Sequence, residues 1–280
     1  MMALANPRRK ALRGFLLYAL LTAVAAVVLF PLWSALTVSN LADTEVATYP
    51  PHLVPTGLHP ENFAHALQQA PLLRYLLNSI VQSGLVMIGQ LVTASLAAYA
   101  FAFIDFKGRN VVFLIFLSTM MIPWEATLIP NYLTVRGLGW TDTYIGLAAP
   151  FLATAFGTFL LRQFFRSLPG ELHDAAIIDG CSSLRFLATI VVPLARPALG
   201  TLAVYSFLQT YNQYLWPLLV TNDRLMRTVQ IGIALLQDEE RFAYNTVMAG
   251  VVIVLIPTFA LFILGNRQLI RGLTAGAVKG

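Results

Sequence analysis

The stretch "YLLNSIVQSGLVMIGQLVTASLAAYAFAFI", residues 75–104, runs for 30 positions without a charged side chain. About 20 consecutive apolar residues are enough for a helix to cross the hydrocarbon core of a bilayer. The whole chain has the same character, since 58% of its 280 residues are hydrophobic and only 11% are charged. A soluble domain carries roughly 25% charged residues. The sequence therefore predicts an all-α polytopic membrane protein.

Six apolar stretches approach or exceed the spanning length. They cover residues 14–37, 73–104, 110–130, 144–165, 197–220 and 245–265. We therefore predict six transmembrane helices over residues 14–265, between an N-terminal segment at 1–13 and a C-terminal tail at 266–280. The first stretch follows basic residues, as a signal peptide does, but it is longer than a signal core of roughly 7–15 residues. A retained first span is favoured over a cleaved signal.

Basic residues are distributed unevenly between the two sides of this arrangement. Thirteen lie on the side of the termini and five on the other side, which also carries eight carboxylates, three of them in the run at 238–240. Lys and Arg are enriched in cytoplasmic loops. Both termini are therefore expected in the cytoplasm. The net charge of +5 reflects this asymmetry and not a nucleic-acid partner.

The sequence lacks the short motifs of a catalytic or metal-binding protein. It contains no G-x-x-x-x-G-K-[ST] loop, no H-E-x-x-H, no G-x-S-x-G and no Cys/His cluster. His52, His59 and His65 lie in the outer loop at 38–72 without metal-ligand spacing, and Cys181, the single cysteine, cannot form an internal disulfide. We expect a non-catalytic subunit that binds no cofactor. Transport against a gradient would then need an ion gradient or a separate energy-supplying subunit.

Polar side chains within the apolar stretches are candidates for a solute path, because such groups are costly in a membrane. The candidates are Glu125, Tyr211, Asn212, Gln213, Trp216 and Asn78. Three of them have a specific alternative: Glu125 can be a solvated surface carboxylate, Asn78 can link two helices, and Trp216 can belong to an interfacial aromatic belt. We favour the solute path for Asn212 and Gln213 and the belt for Trp216.

The longest polar segment on the side of the termini is the loop at 162–196. Pro169 suits the first turn of a helix, Gly180 can end it in a left-handed conformation, and Ser182 or Ser183 can cap a second helix starting near Leu184. The loop is thus predicted to form a helix, a turn and another helix.

Ala175 and Ala176 lie on the first of these helices. Small side chains let a partner surface approach the backbone closely. A helix that lies against the protein's own spans would also tolerate them, and the two alternatives are equal on this evidence.

The spacing within the loop resembles a known signature. Asp174-Ala175-Ala176 is followed after three residues by Gly180, and after nine more by Ile190, one residue and then Val192-Pro193. This is similar to E-A-A-x3-G-x9-I-x-L-P, the loop with which permeases of ABC importers dock onto their ATPase subunit. Asp174 and Val192 are conservative departures from it. The resemblance implies a docking loop made of Glu171, Asp174, Ala175, Ala176, Asp179, Gly180, Ile190 and Pro193.

Two further segments carry the resemblance to the carbohydrate-uptake, maltose-type permeases. "FGTFLLRQFFRSLPGELHDAAIIDG" is similar to the approach to their docking loop, and the C-terminal "GLTAGAVKG", with Gly276 and Lys279, is similar to a tail that enters the ATPase dimer. "YNQYLWPLLVTND" and "MMIPWEATLIP" look most like the glycerol-3-phosphate and glycerophosphodiester branch.

The resemblance implies a permease subunit in a bacterial cytoplasmic membrane, translocating a sugar or glycerol-3-phosphate-type solute by alternating access. Its implied partners are a second, homologous permease, two ATPase subunits that hold ATP and Mg²⁺, an extracytoplasmic solute-binding protein and the lipid bilayer. The alternative from another class is an ion-coupled secondary transporter of a small polar solute.

Overall fold

The computed structural model describes residues 7–237 and 243–274, which fold into helices and connecting loops without a β-strand. The chain divides into two compact units. One comprises residues 1–70 and 235–253, and the other comprises residues 71–234 and 254–280. The described part is therefore all-helical, as the sequence predicts.

The α-helices are numbered along the chain. They are α1 (Pro7–Val38), α2 (Asp43–Val46), α3 (Pro60–Gln69), α4 (Leu72–Phe103), α5 (Arg109–Ser118), α6 (Trp124–Gly137), α7 (Tyr144–Ala148), α8 (Ala155–Phe165), α9 (Glu171–Ile178), α10 (Ser183–Phe186), α11 (Val192–Leu194), α12 (Arg196–Tyr211), α13 (Leu215–Val220), α14 (Val229–Gln237) and α15 (Tyr244–Thr274).

In the first unit, α1 leaves its apolar surface uncovered. Its segment Leu12–Val38 has a mean hydropathy of 2.5 and is long enough to cross a membrane, yet none of its most apolar window is buried by this chain. Exposed apolar surface on this scale needs lipid or another protein around it.

The loop after α1 is held by a cluster of buried amides. Asn245 Nδ2 lies 3.0 Å from the carbonyl oxygen of Leu41 and 2.8 Å from the carboxylate of Asp43, and Asn62 Nδ2 donates to Leu41 O at 2.9 Å. Nearby, hydrogen bonds from the Thr56 hydroxyl and the Ala42 N–H hold the pKa of the Glu45 carboxyl below its usual value. The same loop region contains the short helices α2 and α3.

In the second unit, α4 is the central helix and packs along α8 and α12. Its small residues Ala94 and Ala98 are fully buried and let the three helices approach closely. Leu161 and Phe165 of α8 and Leu202 of α12 fill the same core without exposed surface. The uncharged stretch at 75–104 therefore forms most of the central helix of this unit.

Three of the six predicted spans are not continuous helices. Leu12–Val38, Leu72–Phe103 and Tyr244–Ile263 are single helices of spanning length and hydropathy. The stretches predicted at 110–130 and 144–165 are pairs of helices bent by 95° and 52°, respectively. The described part of the chain thus has three candidate spans, or up to six if each bent pair crosses the membrane once.

Proline accounts for the bend in the third stretch. Pro123 takes an extended conformation immediately before α6, and the residue preceding a proline is itself driven out of the helical region. The fifth predicted stretch, 197–220, is interrupted as well, because α12 ends at Tyr211 and α13 begins at Leu215.

The polar loop folds as a helix, a turn and a second helix. Gly180 has φ +67°, which confirms the left-handed turn, and the N–H groups of Gly180 and Cys181 bond back to Ile177 O and Ala176 O at 3.0 and 2.8 Å. The first helix begins at Glu171, two residues beyond Pro169. Ser182 occupies the N-cap position of the second helix, but its side chain makes no cap hydrogen bond.

The second helix of this loop widens before it meets the fifth stretch. Residues Leu187–Val191 form a π-helical turn, and the chain then bends by 83° between Ser183–Leu194 and α12. Pro193 has no N–H for a regular helical bond, and its ring crowds the carbonyl four residues earlier, at Thr189. The proline thus accounts for the irregular turn.

Gly146 marks the tightest packing point between α7 and its neighbours. A Cβ atom at this position would overlap the backbone carbonyl oxygen of Trp140 and approach Val135 to 3.2 Å. The Gly146 carbonyl in turn accepts a hydrogen bond of 3.2 Å from Trp216 Nε1. Backbone cannot yield as a flexible side chain does, so only glycine fits here.

We expect Gly146→Ala to destabilise the protein by about 1–3 kcal/mol, the usual cost of overpacking a tight site. The measurement is the thermal unfolding midpoint of the detergent-purified protein. Gly137→Ala is the matched control, because a Cβ at Gly137 meets nothing within 4 Å. Equal midpoints for the two variants would contradict the packing account.

The turn at Gly180 yields a second prediction. A side chain in the left-handed region costs roughly 1–2 kcal/mol, so Gly180→Ala should loosen the turn and accelerate maleimide labelling of Cys181 several-fold. Gly170→Ala is the control, since Gly170 has φ −62° and open space around it. Unchanged labelling of Gly180→Ala would show that the turn is not held by this glycine.

Candidate functional site

A cavity of about 570 Å³ lies within the second unit, where three of the predicted spans are interrupted. Its wall includes Thr119 and Met120 at the α5–α6 bend, the segment 150–156 between α7 and α8, and Gln213 just beyond α12. Irregular backbone at membrane depth is tolerated where it lines a cavity or is buried in protein. The interrupted segments therefore form part of the cavity wall.

The cavity is roughly midway along the long helix α4. Gln90, its lining residue from α4, is separated from both ends of Leu72–Phe103 by several helical turns. With a rise of about 1.5 Å per residue, it lies at least about 20 Å from either end. This is the depth at which transporters place their solute sites.

Side chains of α4 satisfy the backbone of the interrupted segment. Gln90 Nε2 donates to Phe151 O at 2.8 Å, and Thr93 Oγ1 donates to Leu152 O at 2.7 Å. The Gln90 Oε1 accepts a hydrogen bond of 2.5 Å from the Ser206 hydroxyl of α12. The amide of Gln90 thus joins three elements at the cavity wall.

Gln213 is the one predicted path residue that lines the cavity. Its Oε1 accepts a hydrogen bond of 3.0 Å from Gln82 Nε2, and Gln82 also lies 3.3 Å from Leu147 O. Asn212, its neighbour, is exposed and lies outside the cavity lining, with its Nδ2 bonded to Leu208 O at 2.8 Å and its Oδ1 to Gln230 at 3.3 Å.

Tyr211 and Asn78 are buried and serve as links between elements. The Tyr211 hydroxyl donates to Val254 O at 2.8 Å. Asn78 Nδ2 donates to the carbonyl oxygens of Leu225 and Arg227 at 2.7 and 2.8 Å, and its Oδ1 accepts from the Tyr144 hydroxyl at 2.7 Å. Neither side chain lines the cavity. For Asn78 the geometry favours the alternative of a structural amide.

Trp216 neither lines the cavity nor lies in an exposed aromatic belt. Its side chain is 1% exposed, and its Nε1 bonds to Gly146 O and Leu147 O at 3.2 Å each. A belt tryptophan needs an exposed ring, so within this chain the belt interpretation is wrong. The ring instead packs edge-on behind Trp124 and Phe151, which do line the cavity.

Glu125 is exposed in the first turn of α6, next to Trp124 in sequence, and does not line the cavity. Its carboxylate suits the positive end of the helix dipole there. The structure thus supports the interpretation of a surface carboxylate at this position.

The polar face of α12 was not among the residues predicted from the sequence. Tyr205 and Gln209 lie four positions apart on α12, with Ser206 and Thr210 beside them, and all four line the cavity together with Gln213, which follows the helix. Positions four apart share one face of a helix. The spacing of these polar residues can be seen in the sequence, although the path residues predicted in this region lie at 211–216.

The loop helix α9 has an inward and an outward face. Ala176 is 5% exposed, and His173 stacks on Phe103 at 5.3 Å and meets the edge of Phe186 at 5.2 Å. For Ala176 the structure favours the alternative of packing against this chain's own helices.

The outward face of α9 is apolar. Ala175 is exposed, Ile177 and Ile178 are 60% and 85% exposed, and Leu184 on the next helix is 67% exposed. Such a cluster at a polar loop is typical of a surface that a protein partner covers.

The remaining predicted docking residues are exposed or half-buried. Glu171, Asp174, Asp179 and Gly180 are exposed, and Ile190 and Pro193 are half-buried. Gly276 and Lys279 lie outside the described residues. Within the described ranges, no group of three or more His, Cys, Asp and Glu side chains is placed to hold a metal ion.

Comparison with known proteins gives consistent results. The family model for the binding-protein-dependent transport system inner membrane component matches residues 90–273. The sn-glycerol-3-phosphate transport system permease protein UgpE of Yersinia enterocolitica is 37% identical over 255 residues, covering 88% of this chain and 91% of that protein. UgpE of Rhizobium meliloti is 36% identical over 256 residues, with the same coverage of both chains.

The fold is similar to that of a solved transporter. A chain of a bacterial ABC transporter involved in the import of the acidic polysaccharide alginate superimposes with a TM-score of 0.82 at 23% identity, covering 93% of this chain and 97% of that one. Family model, relatives and fold agree, and the chain belongs to the family of binding-protein-dependent transport system inner membrane components, the multi-pass permease subunits of ABC importers.

Proposed function

We propose that this chain is one of two permease subunits of an ATP-driven importer and that it carries a sugar or a glycerol-3-phosphate-type solute by alternating access. The observation that carries the proposal is the polar cavity midway along α4, in a chain otherwise built from apolar helices. A site at this depth can face each side of the membrane in turn when the surrounding helices rock.

The exposed face of Ala175, Ile177 and Ile178 supports docking of the ATPase subunit at the loop 162–196. ATP closes the ATPase dimer, and the docked helix moves with it as a lever. The inward face of α9 is stacked on Phe103, at the end of α4, so that a movement of the loop is passed to the helix that lines the cavity. ATP and Mg²⁺ remain on the ATPase.

The proposed importer mechanism also implies partners for this chain. A second, homologous permease and the lipid bilayer would cover the apolar surface of α1, and a solute-binding protein would deliver the solute from outside. A solved relative of the fold, the alginate transporter, is described in complex with an alginate-bound periplasmic protein. The proposed orientation has both termini in the cytoplasm, with Gly276 and Lys279 reaching the ATPase dimer.

The choice of solute class rests on the relatives, whose names give sn-glycerol 3-phosphate. A glycerophosphodiester is the related alternative. Glu125, exposed beside Trp124, could hold a cationic head group of such a diester, whereas it would repel a bare phosphate.

We predict that Ala175→Arg abolishes ATPase docking. The larger, charged side chain would hold the partner away from the exposed face, and a loss of 1.4 kcal/mol in binding already lowers affinity about tenfold. The measurement is co-purification of the ATPase with the permease pair. Ala175→Ser, which keeps a small side chain, is the control and should dock normally. Normal docking of Ala175→Arg would contradict the assignment of this face.

We also predict that uptake depends on ATP and not on an ion gradient. In proteoliposomes holding both permeases, the ATPase and the binding protein, sn-glycerol 3-phosphate uptake should require ATP on the side of the membrane that carries the ATPase. It should persist when proton and sodium ionophores are added. Uptake by the permeases without the ATPase, abolished by an ionophore, would instead establish the ion-coupled alternative.

A further inference from the structure

The cavity has two aromatic walls. Trp124 and Phe151 pack at 4.9 Å between ring centroids, and Phe156 and Tyr205 form a second pair at 4.6 Å. Trp216 backs the first pair edge-on, at 5.8 Å from each ring. Ring faces held in this way offer flat apolar surface at little cost in conformational entropy.

Hydrogen-bonding groups lie along the polar face of α12. Gln209 Nε2 donates to the Tyr205 hydroxyl at 3.0 Å, a bond that uses neither the Gln209 Oε1 acceptor nor the Tyr205 O–H donor. Gln213 uses its Oε1 to accept from Gln82, and its Nε2 donates to no group in the described residues. The wall therefore presents both donors and acceptors.

Among the described residues that line the cavity, all are uncharged: the polar ones are amides and hydroxyls from Gln, Ser, Thr and Tyr. Recognition of a phosphate group normally uses arginine, lysine or several N–H donors. A doubly charged group placed in an uncharged, partly apolar cavity would lose its hydration without compensation. The lining is therefore unsuited to a phosphate.

We propose that this cavity binds the uncharged, hydroxylated part of the solute, a sugar ring or a glyceryl group, and that an anionic group of the same solute stays outside it. A carbohydrate has C–H faces that pack on rings and O–H groups that both donate and accept, which matches the two kinds of wall. A pocket of about 570 Å³ is large enough for such a group.

This proposal rests on the proposed function and sharpens it. Gln209 and Tyr205 would make the hydrogen bonds, and Trp124 and Phe156 would supply ring surfaces. A phosphorylated solute would be bound here by its glyceryl end, while the second permease or the binding protein contacts the phosphate.

Protection of an introduced thiol tests the proposal directly. Cys181, the only cysteine of this chain, is first replaced by serine. Ala153→Cys then places a thiol on the cavity wall, since Ala153 lines the cavity and is exposed within it. The full transporter, with its partner permease, ATPase and binding protein, is labelled with a maleimide in lipid nanodiscs. Asn212→Cys, exposed but outside the cavity, is the matched control.

The probes are maltose, sn-glycerol 3-phosphate and inorganic phosphate at equal ionic strength. We expect maltose or sn-glycerol 3-phosphate to slow labelling of Ala153→Cys at least threefold, and inorganic phosphate to leave it unchanged. None of the probes should protect Asn212→Cys. Adding Gln209→Leu should raise the half-protecting concentration about tenfold, which corresponds to about 1.4 kcal/mol.

Two outcomes would overturn the proposal: protection by inorganic phosphate equal to that by the hydroxylated probes, or no protection by either hydroxylated probe. Uptake by the same assembly in proteoliposomes separates this result from the proposed function. ATP-driven uptake without protection removes the cavity proposal alone. Protection without ATP-driven uptake supports the cavity and contradicts the importer mechanism.

Discussion

The requirement that every backbone N–H and C=O at membrane depth find a partner shapes this protein more than any other constraint. The chain leaves the helical conformation near Leu152 and again beyond Tyr211, in stretches that are otherwise apolar. Gln90 and Thr93 of α4 satisfy the carbonyl groups of the first interruption, and Gln82 links the second to α7. Without Gln90 and Thr93, the carbonyl groups of Phe151 and Leu152 would lose these partners, and a polar group that is kept from water without a hydrogen bond costs several kcal/mol. The cavity exists because α4 can support irregular backbone beside it.

The same helix connects the cavity to the loop at the other end of the unit. Gln90 lies at the cavity, and Phe103, the last residue of α4, stacks on His173 of the loop helix α9. A helix is stiff along its axis, so displacement at one end can be felt at the other. The proposed lever therefore needs no separate relay of residues, because one packed helix contacts both the cavity and the loop. The loop is set off from the helices on either side of it: α8 ends at Phe165, before α9 begins at Glu171, and the chain bends by 83° between Ser183–Leu194 and α12.

Much of this arrangement could be predicted from sequence, and the remainder shows where sequence patterns lose information. The uncharged run at 75–104 established the membrane class, and Gly180 and its neighbours established the turn of the loop. Helix interruptions were harder to locate, because hydropathy measures composition and remains high through Leu152 and Pro193 whether or not the backbone is helical. Trp216 illustrates a second loss: an indole at the end of an apolar stretch suits an interface, yet the ring is buried and its N–H bonds to the carbonyl of Gly146, 70 positions away. The polar face of α12 could be predicted from the spacing of Tyr205 and Gln209, which lie four positions apart on the helix.

Ala175 and Ala176 show why adjacent residues in a signature need not share a role. Neighbouring positions on a helix point about 100° apart, so a short helix lying on a protein surface presents one of them inward and the other outward. Ala176 must be small because it packs against this chain's own helices, where it is 5% exposed. Ala175 is small on the exposed side, where bulk would obstruct a partner. A larger residue at 176 should therefore disturb the seating of α9 on its own unit, whereas one at 175 should disturb only what docks from outside. The two alanines satisfy two different surfaces at the point where the motion of a partner would be transferred to the membrane helices.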